Sequence, residues 1–147
     1  EAKQADWENC YAKLSEVISN LFIEHNYLLE LSTLTEKERA HFIALSEQNA
    51  SYEVVTSSLK NLSFYLEQYH GVKPVVLIDE YDAPIHSGYG NGYYEKIIDF
   101  IRSFLGAGLK DNNALNFAVM TGILRVAKES IFSGLNHLAV YTVLNKK

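Results

Sequence analysis

Six consecutive residues constrain this chain more than any others: Val75-Val76-Leu77-Ile78-Asp79-Glu80, four apolar side chains in a row followed at once by two carboxylates. The apolar part is rich in β-branched residues, opens directly after Pro74 and shows no polar alternation. That predicts a short strand buried on both faces, as in a parallel sheet covered by helices. A second run of the same kind, Phe117-Ala118-Val119-Met120, ends at Thr121-Gly122. Between the two, residues 92–109 return to a helical period. Tyr94, Ile97, Ile98, Ile101, Phe104 and Leu105 fall on one face, and Glu95, Lys96, Asp99 and Arg102 fall away from it. Lys110-Asp111-Asn112-Asn113 reads as the turn that follows. Strand, helix, strand is a βαβ unit, and the fold class it predicts is α/β.

Upstream, the pattern is helical. Trp7, Cys10, Tyr11, Leu14, Val17, Ile18, Leu21 and Phe22 recur at steps of three and four, with Lys13, Glu16 and Asn20 between them, which predicts an amphipathic helix. Thr35 and Glu38 have capping-box spacing and open a second helix toward Leu45, because hydroxyl and carboxylate can each satisfy an orphan backbone N–H. From Ser51 a third helix carries the stripe Tyr52, Val55, Leu59, Leu62, Leu66 and Tyr69. Such a stripe can seed a coiled coil, but at this length a face packed on a sheet is the reading we adopt. His70-Gly71 ends the helix. Beyond Gly122, residues 123–132 read as a short helix closed by Ser133-Gly134, and residues 138–144 as a third strand. The segment His86-Ser87-Gly88-Tyr89-Gly90-Asn91-Gly92 reads as a mobile glycine-rich loop. The division is therefore a helical part, residues 1–70, and a βαβ part, residues 71–147, within one partial domain.

With 147 residues, 48% of them hydrophobic, the chain can bury one sizeable core but not two ordinary domains. It opens at Glu1 without a methionine and closes directly after an apolar run, as expected of a segment of a longer protein. The net charge of −5 offers no field for non-specific nucleic-acid binding. Cys10 is the single cysteine, which excludes an internal disulfide and a cysteine-rich zinc site. No apolar run reaches the ~20 residues of a membrane span, and no signal segment opens the chain, so a cytoplasmic location is expected. The histidines lack zinc-ligand spacing, Ser130 and Ser133 have no evident base, and no Gly-x-x-x-x-Gly-Lys-Ser/Thr loop occurs.

The chemistry therefore concentrates at the ends of the two strands, the edge at which open α/β sheets bind ligands. Asp79 and Glu80 suit the division of labour in P-loop ATPases, in which one acid holds magnesium against phosphate oxygens and its neighbour orients or deprotonates the attacking water. Successive strand side chains point to opposite faces, so the pair serves one site only if the backbone turns there; Asp82 and Pro84 provide for such a turn. Two other readings stand beside this one: a strand that simply ends in solvated acids, and a metal cage of Asp79, Glu80 and Asp82 in a nuclease or phosphoesterase. Thr121 at the end of the neighbouring strand could reach a terminal phosphate, and Arg125 could stabilise charge on a transferred phosphoryl group. Equally, Thr121 could cap a helix and Arg125 could pair with Glu129.

The segment Val75-Val76-Leu77-Ile78-Asp79-Glu80-Tyr81-Asp82-Ala83-Pro84-Ile85, followed by Gly92-Tyr93-Tyr94-Glu95, Phe100-Ile101-Arg102 and Leu109-Lys110-Asp111-Asn112, resembles the bacterial AAA-ATPase-like family. So does Ala118-Val119-Met120-Thr121-Gly122-Ile123-Leu124-Arg125-Val126-Ala127-Lys128-Glu129-Ser130-Ile131-Phe132-Ser133-Gly134-Leu135-Asn136. The likeness runs over residues 59–143 and more loosely over the N-terminal helices. It implies an incomplete three-layer P-loop NTPase-like fold, a parallel sheet flanked by helices, whose parent binds and hydrolyses ATP with Mg2+. It also implies that Asp79 and Glu80 are the Walker B acids and that Thr121 and Arg125 stand at the sensor position; on residue chemistry Asp79 is the metal ligand, with Asp82 a weaker candidate. The Walker A loop would lie upstream, so ATP would be gripped by residues this chain lacks. The parents of such chains commonly carry a C-terminal domain related to PD-(D/E)XK nucleases, through which alone nucleic acid would be engaged. Self-association and contacts with the parent's other domains are further expectations. The rival readings are a metal-dependent nuclease or phosphoesterase built on the acidic cluster, and a degenerate, non-catalytic interaction module.

Overall fold

The computed structural model describes residues 6–123 and the single positions 131, 139 and 141. In chain order the elements are α1 (Trp7–Glu24), a 3-10 turn (Asn26–Glu30), α2 (Glu36–Ser46), α3 (Tyr52–His70), β1 (Val75–Ile78), α4 (Ala83–Asn91), α5 (Tyr94–Leu105), a π-helical turn (Gly106–Lys110) and β2 (Phe117–Met120). This is a mixed α/β architecture, mostly helical, with β1 and β2 paired in parallel and Val75, Val76, Leu77 and Ile78 opposite Phe117, Ala118, Val119 and Met120. The stretches 124–130, 132–138, 140 and 142–147 lie outside the described residues, and with them Arg125 and nearly all of the short helix and third strand expected there.

Each of the first three helices starts on a side chain that closes an open N–H. Asp6 accepts from the Asn9 amide at 2.8 Å, and Ser51 from that of Val54 at 3.4 Å. Thr35 and Glu38 form the predicted capping box, with reciprocal bonds of 3.1 and 2.8 Å. Gly71, at φ 70°, ends α3 in the left-handed conformation that glycine adopts without steric cost. Polar ties then fix α2 to what precedes it: the Ser19 hydroxyl of α1 donates to the Ser46 carbonyl at 2.7 Å, and Arg39 donates to the Leu29 and Leu31 carbonyls at the end of the 3-10 turn.

One continuous apolar core runs from Cys10 to Ile131. Phe22 and Phe42 meet edge to face at 4.8 Å between α1 and α2. Phe100 of α5 inserts among Trp7, Tyr11 and Tyr52, with ring centroids at 6.3, 5.8 and 6.0 Å, which fastens α5 to α1 and to the start of α3. The π-helical turn packs on α3 through Gly108, where a Cβ would stand only 2.6 Å from Leu59 Cδ2.

Several expectations need correction. Val17 is exposed, so the buried face of α1 is narrower than its apolar spacing implied. The α3 stripe packs mainly on α5, the π-helical turn, α1 and α2 rather than on the sheet, with Tyr65 buried while Tyr52 and Tyr69 at its ends remain exposed. Periodicity identifies a face but not what covers it. The strands are not buried on both faces. Val76, Ile78, Ala118 and Met120 pack against the core, while Val75 (42% exposed), Leu77 (75%), Phe117 and Val119 form an open apolar face, because the described helices cover one side only. The crossover holds two helices and a π-helical turn rather than one helix.

The glycine-rich loop is in fact most of α4. Pro84 sits in its first turn, the Asn91 amide donates to the Ser87 carbonyl at 2.8 Å, and Gly92 ends it at φ 79°. Gly88 is what lets this helix approach α5 so closely, since a Cβ there would stand 2.6 Å from Ile97 Cγ2. Among the described residues no helix is long and apolar enough to cross a membrane.

Candidate functional site

β1 stops at Ile78, and parallel pairing with β2 is prolonged past the strand ends by main-chain bonds: the Thr121 N–H donates to the Ile78 carbonyl at 2.9 Å, and the Tyr81 N–H to the Thr121 carbonyl at 3.1 Å. This brings Asp79, Glu80 and Thr121 together. The Thr121 hydroxyl donates to Asp79 Oδ1 and accepts from the Glu80 N–H at 3.3 Å, so one side chain of β2's exit engages both acidic residues. Asp79 and Glu80 are themselves exposed.

Glu80 lies at φ 52°, in the left-handed region, a conformation costing roughly 1–2 kcal/mol for a residue with a Cβ and retained only where its surroundings enforce it. The enforcing contacts are the Thr121 bonds on either side of it. Structurally, the left-handed residue ends the alternation of a strand at the point where the chain turns into α4, with the Ala83 N–H donating to the Glu80 carbonyl at 3.0 Å. The turn that two carboxylates at one site require is therefore present.

Asp82 follows at the N-cap position of α4, yet its side chain does not cap that helix. It is 4% exposed, and its Oδ2 accepts from the Ile123 N–H at 2.9 Å, across 41 residues of sequence. Beside it, Gly122 lies so close to the turn that a Cβ would meet Tyr81 ring carbons at 2.5 and 2.9 Å and Asp82 Oδ1 at 3.0 Å. The Tyr81 phenol is pushed above its ordinary pKa by burial, and secondarily by the Asp82 charge. From sequence alone Asp82 reads as a turn former and a weaker metal candidate, and Gly122 as a strand stop. A glycine directly after the strand-end threonine was the available signal of close backbone approach.

Among the described residues no three His, Cys, Asp or Glu side chains are grouped to hold a metal ion by themselves, so a cage of Asp79, Glu80 and Asp82 finds no support. Magnesium makes a lighter demand: one or two carboxylates, with phosphate oxygens and waters completing its shell. Asp79 fits that demand, because it is exposed and its Oδ2 carries no hydrogen bond from the described residues. A groove of about 340 Å³ between α2 and α3 is lined by residues such as Lys37, His41 and Glu53 and contains none of the strand-end groups. The candidate site is therefore the strand ends, where the Thr121 hydroxyl meets the Asp79 carboxylate and the Glu80 N–H at a held turn, and in the groove Glu38 is committed to its capping box.

Asp79, Glu80 and Thr121 thus meet where the parallel strand pair ends, the edge at which open α/β sheets bind ligands. The family model described as predicted AAA-ATPase matches residues 2–132, and the chain belongs to that family. It is also similar to a protein of Azotobacter chroococcum mcd 1 described as an uncharacterized protein in the vnfD 5' region, with 39% identity over 70 residues, covering 46% of this chain and 13% of that protein. The matched stretch thus spans about an eighth of the relative's length. No solved structure matches the chain.

Proposed function

We propose that this chain carries the Walker B and sensor portion of an ATPase that hydrolyses ATP with Mg2+. The observation that carries the reading is the hydrogen-bonded set at the strand ends: Asp79 and Glu80 leaving β1 across a left-handed turn, and the Thr121 hydroxyl from the adjacent parallel strand bonded to Asp79 and to the Glu80 amide. Family membership supports the same activity.

In this reading Asp79 would hold magnesium, which would supply neutralisation of charge on the phosphate oxygens. Glu80 orients the attacking water and accepts its proton. Thr121 fixes the Asp79 carboxylate, and Thr121 with Arg125 would serve the terminal phosphate, the arginine stabilising the charge that develops there. The nucleotide phosphates would be gripped by a Walker A loop upstream of residue 1. Further strands and helices complete a three-layer sheet, and the open apolar face of Val75, Leu77, Phe117 and Val119 is the side they would cover. The protein works in the cytoplasm, where ATP is available, and other domains of the parent couple hydrolysis to its task.

Calorimetry of Mg·ATP binding tests this, run on residues 1–147 and on a longer stretch extended upstream through a glycine-lysine-serine/threonine loop. Binding by the longer stretch alone is the expected result. Absence of binding by both would defeat the proposal.

A further inference from the structure

Asp82 has no part in the chemistry just described, yet it is the most deeply buried acid near the site and takes an unusual partner. An aspartate at an N-cap ordinarily accepts from the N–H groups of its own helix. Here it forgoes them and accepts from Ile123, the second residue past Thr121. A carboxylate so buried requires hydrogen bonds, so the Ile123 N–H is a strong tether for it. Gly122, between Thr121 and Ile123, has no room for a Cβ against Tyr81 and Asp82, which shows how tightly β2's exit is drawn onto the turn. Glu80 is thus held from both sides. Thr121 bonds Asp79, the Glu80 amide and the Tyr81 amide, and Asp82 on the far side of Tyr81 bonds Ile123.

We propose that Asp82 is a positioning residue for hydrolysis: by holding the Ile123 N–H it clamps β2's exit against the β1–α4 turn and keeps Thr121 and left-handed Glu80 in fixed register. The inference rests on the ATPase reading. It assigns Asp82 a structural hydrogen bond in place of a metal-ligand role, and it makes Gly122 the second half of the same clamp.

The test uses the full-length protein carrying Asp82→Ala, Asp82→Asn or Gly122→Ala. Because small displacements of reacting groups cost large factors in rate, Asp82→Ala and Gly122→Ala should each lower kcat about tenfold or more. KM for ATP and the half-saturating Mg2+ concentration should stay within about twofold. Asp82→Asn should recover most of the lost kcat, since its amide oxygen can accept from the same N–H. Amide exchange of the segment containing Ile123, followed by mass spectrometry, should be faster in Asp82→Ala and near the parent rate in Asp82→Asn. Unchanged kcat in Asp82→Ala, failure of Asp82→Asn to recover activity, or a rise in the Mg2+ requirement parallel to that of Asp79→Asn would each overturn the assignment. Absence of ATP turnover in the unmodified protein would instead overturn the ATPase reading, and this inference with it, whatever the exchange data show.

Discussion

The first three helices and the strand ends treat the same kind of residue in opposite ways. In α1, α2 and α3 the N-cap side chains Asp6, Thr35 and Ser51 bond to their own helices, and the backbone stays in ordinary conformations at each start. At α4 the N-cap Asp82 turns away from its helix to Ile123, and two residues earlier Glu80 sits left-handed. The scaffold too holds a left-handed residue, Gln48 at φ 56° between α2 and α3, so what sets the strand ends apart is an N-cap carboxylate that serves a distant segment in place of its own helix. Departures of this kind are expected at functional sites rather than in scaffolds. Substitutions in the two regions should accordingly separate stability from activity.

The largest stability loss belongs to the scaffold. Phe42, 1% exposed and edge-on to Phe22, leaves a cavity when truncated, and Phe42→Ala should cost about 3–5 kcal/mol in urea denaturation. Gly108→Ala should cost about 1–3 kcal/mol by overpacking, because Cδ2, Cγ and Cβ of Leu59 all stand within 3.1 Å of the added carbon and cannot all move aside.

Alkaline pH probes the scaffold as well. Burial, and then the charge of Glu38, push the Tyr65 phenol up to about 12. Its unfolded value is ~10, so this contribution is fully present below that pH and is lost as pH rises through the folded value. Stability measured by urea titration should fall between those limits. Tyr65→Phe should flatten part of the fall and leave the remainder to Tyr11, Tyr52, Tyr81 and Tyr93, whose phenols are also raised, chiefly by burial.

Smaller still, Thr35→Ala removes the capping box at a cost of about 1 kcal/mol. At the site, Glu80→Gly relieves the left-handed strain and should leave stability unchanged or raise it by less than about 1 kcal/mol, even as ATP turnover is lost. A loss at Glu80→Gly as large as that at Thr35→Ala would erase the distinction between scaffold and site.

The scaffold was the more legible region. Steps of three and four located α1, α3 and α5, Thr35 with Glu38 announced the capping box, and the two apolar runs marked both strands and their chain direction. What sequence could not convey depended on neighbours. The alternation in burial of Val75, Val76, Leu77 and Ile78 follows from helices covering one side of the sheet, and four consecutive apolar residues carry no sign of it. Three glycines in seven residues looked like a loop because glycine disfavours helices, but contact of Gly88 with Ile97 and Tyr93 outweighs that preference in α4. At the site, Asp79, Glu80 and Thr121 could be picked out as residue types at strand ends. The left-handed turn and the Asp82 to Ile123 bond could not, since both depend on a pairing across about forty residues.

The central claim, that Asp79 and Glu80 serve ATP hydrolysis, is tested most directly by single-turnover hydrolysis of ATP by the full-length protein and its Glu80→Gln variant in Mg2+. If Glu80 orients and deprotonates water, the variant should bind Mg·ATP as the parent does and hydrolyse it about a hundredfold or more slowly. Equal hydrolysis rates in the two proteins would contradict the account.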